Sequence, residues 1–247
     1  MIIGGLQKFS LLDYPEYLSA IIFTQGCNFR CQFCYNPMFV WPEKAKTGKI
    51  TAKSNNTQDQ KGHSPVSEDD LFAFLKTRTG KLDALVITGG EPTLHADLPD
   101  FIVKIKKLGF KIKLDTNGTN PEMVSRLIEE RLIDYIAMDI KATDSKHEAT
   151  VGVKVDLNNI KKSIKIIMKS SLPYEFRTTV VPELFAIEDV AEIGQSIKGA
   201  SKWYLQKFQA ESDLVNPDFE KQKSFTSEEM KAMRDKGRKY VDVCEVR

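Results

Sequence analysis

Cys27, Cys31 and Cys34 stand in a C-x3-C-x2-C array directly after an apolar run, Leu18–Thr24. Thiolates packed this closely have few chemical uses. They can ligate three irons of a [4Fe–4S] cubane and leave the fourth iron without a protein ligand. A structural zinc site asks for a fourth protein ligand, commonly in paired knuckles. The remaining His63, His95, His147 and Cys244 stand at no knuckle spacing. Disulfides belong to oxidising compartments and to evenly spread cysteine frameworks, which this clustering does not resemble. Cys244, far from the array, fits a small buried hydrophobe. An open iron is useful only where something else binds it.

With aromatic Phe33 just before the last cysteine, the array resembles the signature of the radical S-adenosylmethionine (SAM) superfamily. The resemblance implies that the open iron takes the amine and carboxylate of SAM's methionine portion. Downstream, Thr88-Gly89-Gly90-Glu91-Pro92 follows the second predicted strand. Glycines there allow close backbone approach to a ligand. The segment is similar to the family's Gly-Gly-Glu motif, which implies that Gly89, Gly90 and Glu91 receive the amino group of SAM. On that reading Gly90→Val is expected to weaken SAM binding more than cluster content.

Asp115-Thr116 and Asp139-Ile140-Lys141 put acids at the C-terminal rims of apolar strands, where burial without a partner is costly. Two readings stand: acids satisfied by Lys141 or Arg177, or acids gathered around a cation or the sulfonium of SAM. Glycyl-radical activating enzymes resemble this chain at both places. The resemblance implies that Asp115, Thr116 and Asp139 are SAM or monovalent-cation residues and that Lys141 reaches the SAM carboxylate. Arg177, in Tyr174–Pro182, serves the substrate side or pairs with a rim acid. Gln206, in the run resembling the family's sixth strand, either approaches the SAM ribose or carboxylate or is purely structural. No catalytic residue is expected beyond the cluster and SAM ligands, and the three histidines suggest no triad.

Gly5–Pro15 and Phe23–Arg30 closely resemble the anaerobic ribonucleoside-triphosphate reductase activating proteins. That family usually continues Cys-His-Asn-Pro, whereas this chain has Cys34-Tyr35-Asn36-Pro37. Tyr35 cannot become cationic near neutral pH. The resemblance implies an external one-electron donor such as flavodoxin or ferredoxin, and reductive cleavage of SAM to a 5′-deoxyadenosyl radical. It implies as partner an anaerobic ribonucleotide reductase, on which the radical converts one glycine into a glycyl radical. Contact with that partner is expected around Asp13–Tyr14, the loop 43–66 or the C-terminal segment. One alternative is a radical SAM enzyme acting on a small molecule or an RNA base. Another is a non-catalytic iron–sulfur carrier or sensor, whose cluster would normally have four protein ligands.

The elements that must position these residues follow from the wider pattern. Short β-branched runs at Leu18–Thr24, Ala84–Thr88, Lys111–Asp115, Tyr135–Asp139, Tyr174–Val180 and Trp203–Phe208 alternate with amphipathic stretches. The helices are predicted near Ser67–Thr77, Ala96–Leu108, Pro121–Glu130, Leu157–Ser170, Ile187–Ile197 and Ser227–Lys236. This rhythm predicts an α/β fold, a partial (β/α)6 TIM-like barrel, as a single domain over 1–247. Tyr240–Val246 adds an edge strand, 209–247 is a C-terminal extension, and 43–66 is a mobile loop. A net charge of +2 from 36 basic and 34 acidic residues supplies no field for DNA. No apolar run is long enough to span a membrane, and the N-terminus lacks a signal-peptide pattern, so a cytoplasmic protein is expected.

Overall fold

The computed structural model describes residues 1–40, 65–210 and 214–247, so most of the loop expected at 43–66 lies outside the described residues. The chain opens with β1 (Ile3–Ser10) and β2 (Ser19–Thr24), then α1 (Pro37–Val40) and α2 (Glu68–Lys76). There follow β3 (Ala84–Gly89), α3 (Leu98–Lys106), β4 (Lys111–Thr116), α4 (Pro121–Glu129) and β5 (Tyr135–Asp139). The last part carries α5 (His147–Val151), α6 (Leu157–Lys169), β6 (Tyr174–Val180) and α7 (Asp189–Ser196). It ends with β7 (Lys202–Lys207), α8 (Ser227–Gly237) and β8 (Val243–Val246). The strands form one sheet in the order β1 to β8, with β1 and β8 at its edges. The β1–β2 pairing is antiparallel; β2–β3, β3–β4, β6–β7 and β7–β8 are parallel. The expected partial (β/α)6 class is present as β2–β7 with their intervening helices. No helix among the described residues is long and apolar enough to cross a membrane.

Two compact units divide the chain. The first comprises Met1–Asn28, Asn36–Thr116 and Glu122–Ile136; the second comprises Phe29–Tyr35, Asn117–Pro121 and Ala137–Arg247. β5 is shared, its first two residues in one unit and its last three in the other.

In the first unit, β2 and β3 are apolar without alternation because both faces of a parallel sheet are covered. β3 is buried from Ala84 through Ile87 and opens only at Thr88 and Gly89. Tyr14, Ile21, Ala84, Val86 and Tyr135 pack into a core cluster. Ser67 caps α2 by accepting the Asp70 N–H at 3.1 Å, a contact worth about 1 kcal/mol. Asp134 fixes the entry to β5: its Oδ2 accepts the Ile112 N–H at 2.8 Å and pairs with Lys106 Nζ at 3.1 Å.

The second unit uses a different pattern. β6 and β7 alternate, with Phe176, Thr178, Val180, Trp203 and Leu205 buried. Arg177, Thr179, Tyr204 and Gln206 lie on the other, more open face. Their register pairs Arg177 with Tyr204 and Thr179 with Gln206. Trp203 is fully buried and its indole N–H donates to Thr178 Oγ1 at 3.0 Å. In α6 the buried positions Ile160, Ser163, Ile164 and Ile167 fall on one helical stripe. A capping box between Thr226 and Glu229 starts α8. The expected C-terminal edge strand is β8, parallel to β7. Sequence periodicity had marked neither β1 nor the five-residue α5.

Candidate active site

The three cysteine positions leave β2 through Gln25 and Gly26, and the first unit builds the support for that exit. Gly90 N–H donates to Thr24 O at 2.9 Å, and Glu91 N–H donates to Gly26 O at 2.8 Å. A Cβ on Gly90 would stand 1.9 Å from Gly26 O, so only glycine permits this approach. Gly89 has φ +115°, a conformation that side chains disfavour. The Gly-Gly turn is thereby stitched to the residue just before Cys27. His95 Nε2 lies 3.1 Å from Gln25 O, and Gln25 Nε2 donates to Met38 O at 2.8 Å. Burial holds His95 below its usual pKa, which keeps this ring neutral near pH 7.

Glu91 is buried, with 1% of its surface exposed. Its Oε1 accepts the Thr93 N–H at 3.1 Å, the Thr93 hydroxyl at 2.6 Å and the Thr116 hydroxyl at 2.7 Å. Glu91 and Thr116, expected separately at the SAM amine and at a cation, are here bonded to each other. Asp115 Oδ1 lies 3.2 Å from Lys113 Nζ, and that buried ammonium also donates to Asp13 O at 2.5 Å. Sequence reasoning missed Thr93, His95 and Lys113. The Thr and His of Glu91-Pro92-Thr93-Leu94-His95 were visible, but nothing in their spacing showed what they would reach.

The second unit holds the other expected residues. Cys31 and Phe33 are buried and Cys34 is half-buried. Arg177 Nε meets Asp139 Oδ1 at 2.8 Å and Lys141 Nζ meets Asp139 Oδ2 at 2.9 Å. Burial alone would raise the Asp139 carboxyl; the Arg177 and Lys141 cations outweigh it and hold the group well below the usual carboxylate range. Burial would likewise discharge Lys141, but the Asp139 carboxylate, and after it the nearby Cys31 sulfur, keep it cationic. The ion pairs therefore run Lys141, Asp139, Arg177. Arg177 thus pairs with a rim acid in this structure. Gln206 Oε1 accepts from Thr179 Oγ1 at 3.5 Å on the same open face.

Replacing Asp139 by Asn leaves two cations beside an uncharged amide, at a site about a quarter exposed. A loss of about 2 kcal/mol is expected at pH 7, below the cost for a fully buried pair. The native carboxyl has a depressed pKa, so its stabilisation is present above the unfolded value near 3.9 and fades as pH falls below it. Urea unfolding of the apoprotein should show the gap between wild type and Asp139→Asn closing below about pH 4. A gap independent of pH would refute the charge assignment.

The donor set fits an iron–sulfur cubane. Among the described residues, no disulfide engages the three array cysteines. Cys244 is not a candidate fourth ligand: it is fully buried, a Cβ on Gly237 would meet its sulfur, and burial pushes its thiol up to about 12. Among the described residues, no three His, Cys, Asp or Glu side chains converge on one metal ion. A cubane takes one thiolate at each of three separate irons and asks for no such convergence.

A family model described as the radical SAM superfamily matches residues 21–194. A protein named as a glycyl-radical enzyme activating enzyme in Methanocaldococcus jannaschii is 33% identical over 251 residues, covering 100% of this chain and 95% of that protein. A 7-carboxy-7-deazaguanine synthase of Thermococcus kodakarensis is 26% identical over 183 residues, covering 73% of this chain and 70% of the synthase. Among solved structures, SuiB of Streptococcus suis bound to S-adenosylmethionine superposes with a TM-score of 0.62 at 14% identity, over 92% of this chain and 49% of SuiB. At that identity the likeness shows the fold.

Proposed function

The chain belongs to the radical SAM superfamily and, within it, to the activating enzymes of glycyl-radical enzymes; from that premise we propose that its substrate is a glycine of an anaerobic ribonucleotide reductase. Cys27, Cys31 and Cys34 would hold a [4Fe–4S] cluster, with the buried Phe33 just before the last of them assigned to the same site. Together with SAM the cluster supplies one-electron cleavage of a carbon–sulfur bond and, through it, hydrogen-atom abstraction. The chain's own residues bind, orient and shield these groups. Gly89 and Gly90 bring bare backbone to the exit of β2, where a ligand's ammonium would meet carbonyl oxygens rather than side chains. The Glu91–Thr116 hydrogen bond braces that turn. Lys141 is held charged beside Cys31, which suits it to the carboxylate of SAM's methionine. Asp115 and Asp139 are assigned to SAM or a monovalent cation, and Gln206 to the ribose or carboxylate. Electrons would come from an external one-electron donor of the flavodoxin or ferredoxin class.

The observation that carries the activase reading is the end-to-end match to the Methanocaldococcus protein. The choice of reductase rests on Gly5–Pro15 and Phe23–Arg30, now seen as β1 with the turn after it and as the exit from β2. A second reading, chemistry on a small molecule, is favoured by the likeness to the deazaguanine synthase. Anaerobic reconstitution with iron and sulfide, followed by dithionite and SAM, should yield 5′-deoxyadenosine. Adding a candidate reductase should then produce a glycyl EPR doublet. Formation of 5′-deoxyadenosine without that doublet on any glycyl-radical reductase would turn the assignment toward the small-molecule reading.

A further inference from the structure

Tyr35 stands where the resembling family carries histidine, and its surroundings give it a task. Its hydroxyl donates to Gln209 O at 3.0 Å and accepts the Gln209 N–H at 2.9 Å. A hydroxyl can do both at once, whereas each nitrogen of a neutral imidazole either donates or accepts. The Tyr35 ring also stacks on Phe208, with centroids 6.1 Å apart and planes at 22°. Gln209 lies just past β7, so Tyr35 ties the residue after Cys34 to the exit of that strand.

The tie continues along the cysteine loop. Val215 N–H donates to Cys34 O at 3.3 Å, and Asn216 N–H donates to Gln32 O at 2.9 Å. Asn216 Nδ2 donates to Gln32 Oε1 at 3.0 Å, while Gln32 Nε2 donates to Ala149 O on α5 at 2.8 Å. Arg30 N–H donates to Val151 O at 2.8 Å. Gly152, at φ +69°, ends α5 where a Cβ would come within 2.8 Å of Arg30 O. The residues between the cysteines are thus gripped from one side by α5 and from the other by residues 214–216.

We propose that Tyr35 and Gln32 are positioning residues of the cluster, clamping residues 208–210 and 214–216 onto the cysteine loop so that Cys31 and Cys34 keep their spacing when the cluster changes charge. The inference rests on the cluster assignment made above. Neither residue is a ligand; both act through the backbone of their cysteine neighbours. Partners of this kind commonly change metal affinity by about 10- to 100-fold.

The test uses full-length, anaerobically reconstituted protein as wild type, Tyr35→Phe, Tyr35→His and Asn216→Ala. Two readouts are taken: amide hydrogen exchange of the protein before and after cluster loading, and the rate of iron loss to an iron(II) chelator. Tyr35→Phe keeps the stacking and loses both hydrogen bonds. It should raise exchange in 29–36 and 205–210 together and speed iron loss about 10-fold. Tyr35→His can recover one of the two bonds and should fall between. Asn216→Ala should loosen 30–34 and speed iron loss in the same direction, independently of Tyr35. Unchanged iron loss in both Tyr35→Phe and Asn216→Ala, or a lower melting midpoint without selective exchange at the two segments, overturns the proposal. Wild type that takes up no iron and sulfide would instead sink the cluster assignment, and the exchange comparison would still decide whether the clamp exists.

Discussion

Cys31→Ala is expected to reduce 5′-deoxyadenosine formation by more than about a hundredfold while leaving the chain folded. The size follows from the ligand count. A chain that offers three thiolates has no spare, and the remaining cysteine, Cys244, is locked as a protonated thiol under Trp203 and Gly237. The loss exceeds the roughly 10- to 100-fold typical of residues that only support ligands. Folding should survive because hydrogen bonds that fix the loop come from its neighbours: Arg30 N–H to Val151 O, Gln32 to Ala149 and Asn216, and Tyr35 to Gln209. Lys141 keeps Asp139 as its partner when the sulfur is gone. Cys244→Ala is the contrast, because it empties a buried position at the β7–β8 side of the core. That change should cost about 1–2 kcal/mol of stability with iron content unchanged. Iron and sulfide per chain, a melting midpoint and product yield separate the two variants. Full cluster content in Cys31→Ala would refute the ligand assignment.

Much of the frame was legible because its signals are local. β2 to β7 fall within about a residue of the predicted runs: β2 and β3, covered on both faces, leave uninterrupted apolar sequence, while β6 and β7 leave a period-two alternation. β1 escaped because an antiparallel edge strand carries Gln7 and Lys8 among its apolar residues. α5 escaped because five residues show no helical period. The site was legible as a set of residue types and illegible as a set of bonds. Glu91 reaches Thr116 across 25 positions, and Tyr35 reaches Gln209 across 174. A motif names the residue at a position, but not which of its atoms are already engaged. Glu91 shows the difference: a buried carboxylate read as a ligand for SAM has one oxygen serving Thr93 and Thr116. Arg177 shows it from the other side: the sequence offered two readings, and its guanidinium has Asp139 as an ion-pair partner 38 positions away.

Gly90 turns that distinction into a quantitative expectation. From the motif alone, a side chain at Gly90 should weaken SAM binding more than cluster content. The geometry says otherwise. The missing Cβ would sit 1.9 Å from Gly26 O, 2.5 Å from Gly26 C and 3.2 Å from Cys27 N. All three atoms are backbone, so no flexible side chain can swing away. Relief must come from moving either the β3 exit or the strand exit that carries Cys27. The Gly90–Thr24 and Glu91–Gly26 hydrogen bonds link those two exits on either side of the clash. Overpacking of this kind costs about 1–3 kcal/mol, equivalent to roughly 5- to 150-fold in a binding constant. Gly90→Ala should therefore lower iron and sulfide content along with SAM affinity, and Gly90→Val should lower both further. The measurement is iron per chain after reconstitution under limiting iron, set beside SAM binding by calorimetry on the loaded fraction. Normal cluster content with weakened SAM binding would restore the motif-only view, in which Gly90 faces the ligand alone. A parallel fall in both would show that the Gly-Gly turn supports Cys27 as well as SAM.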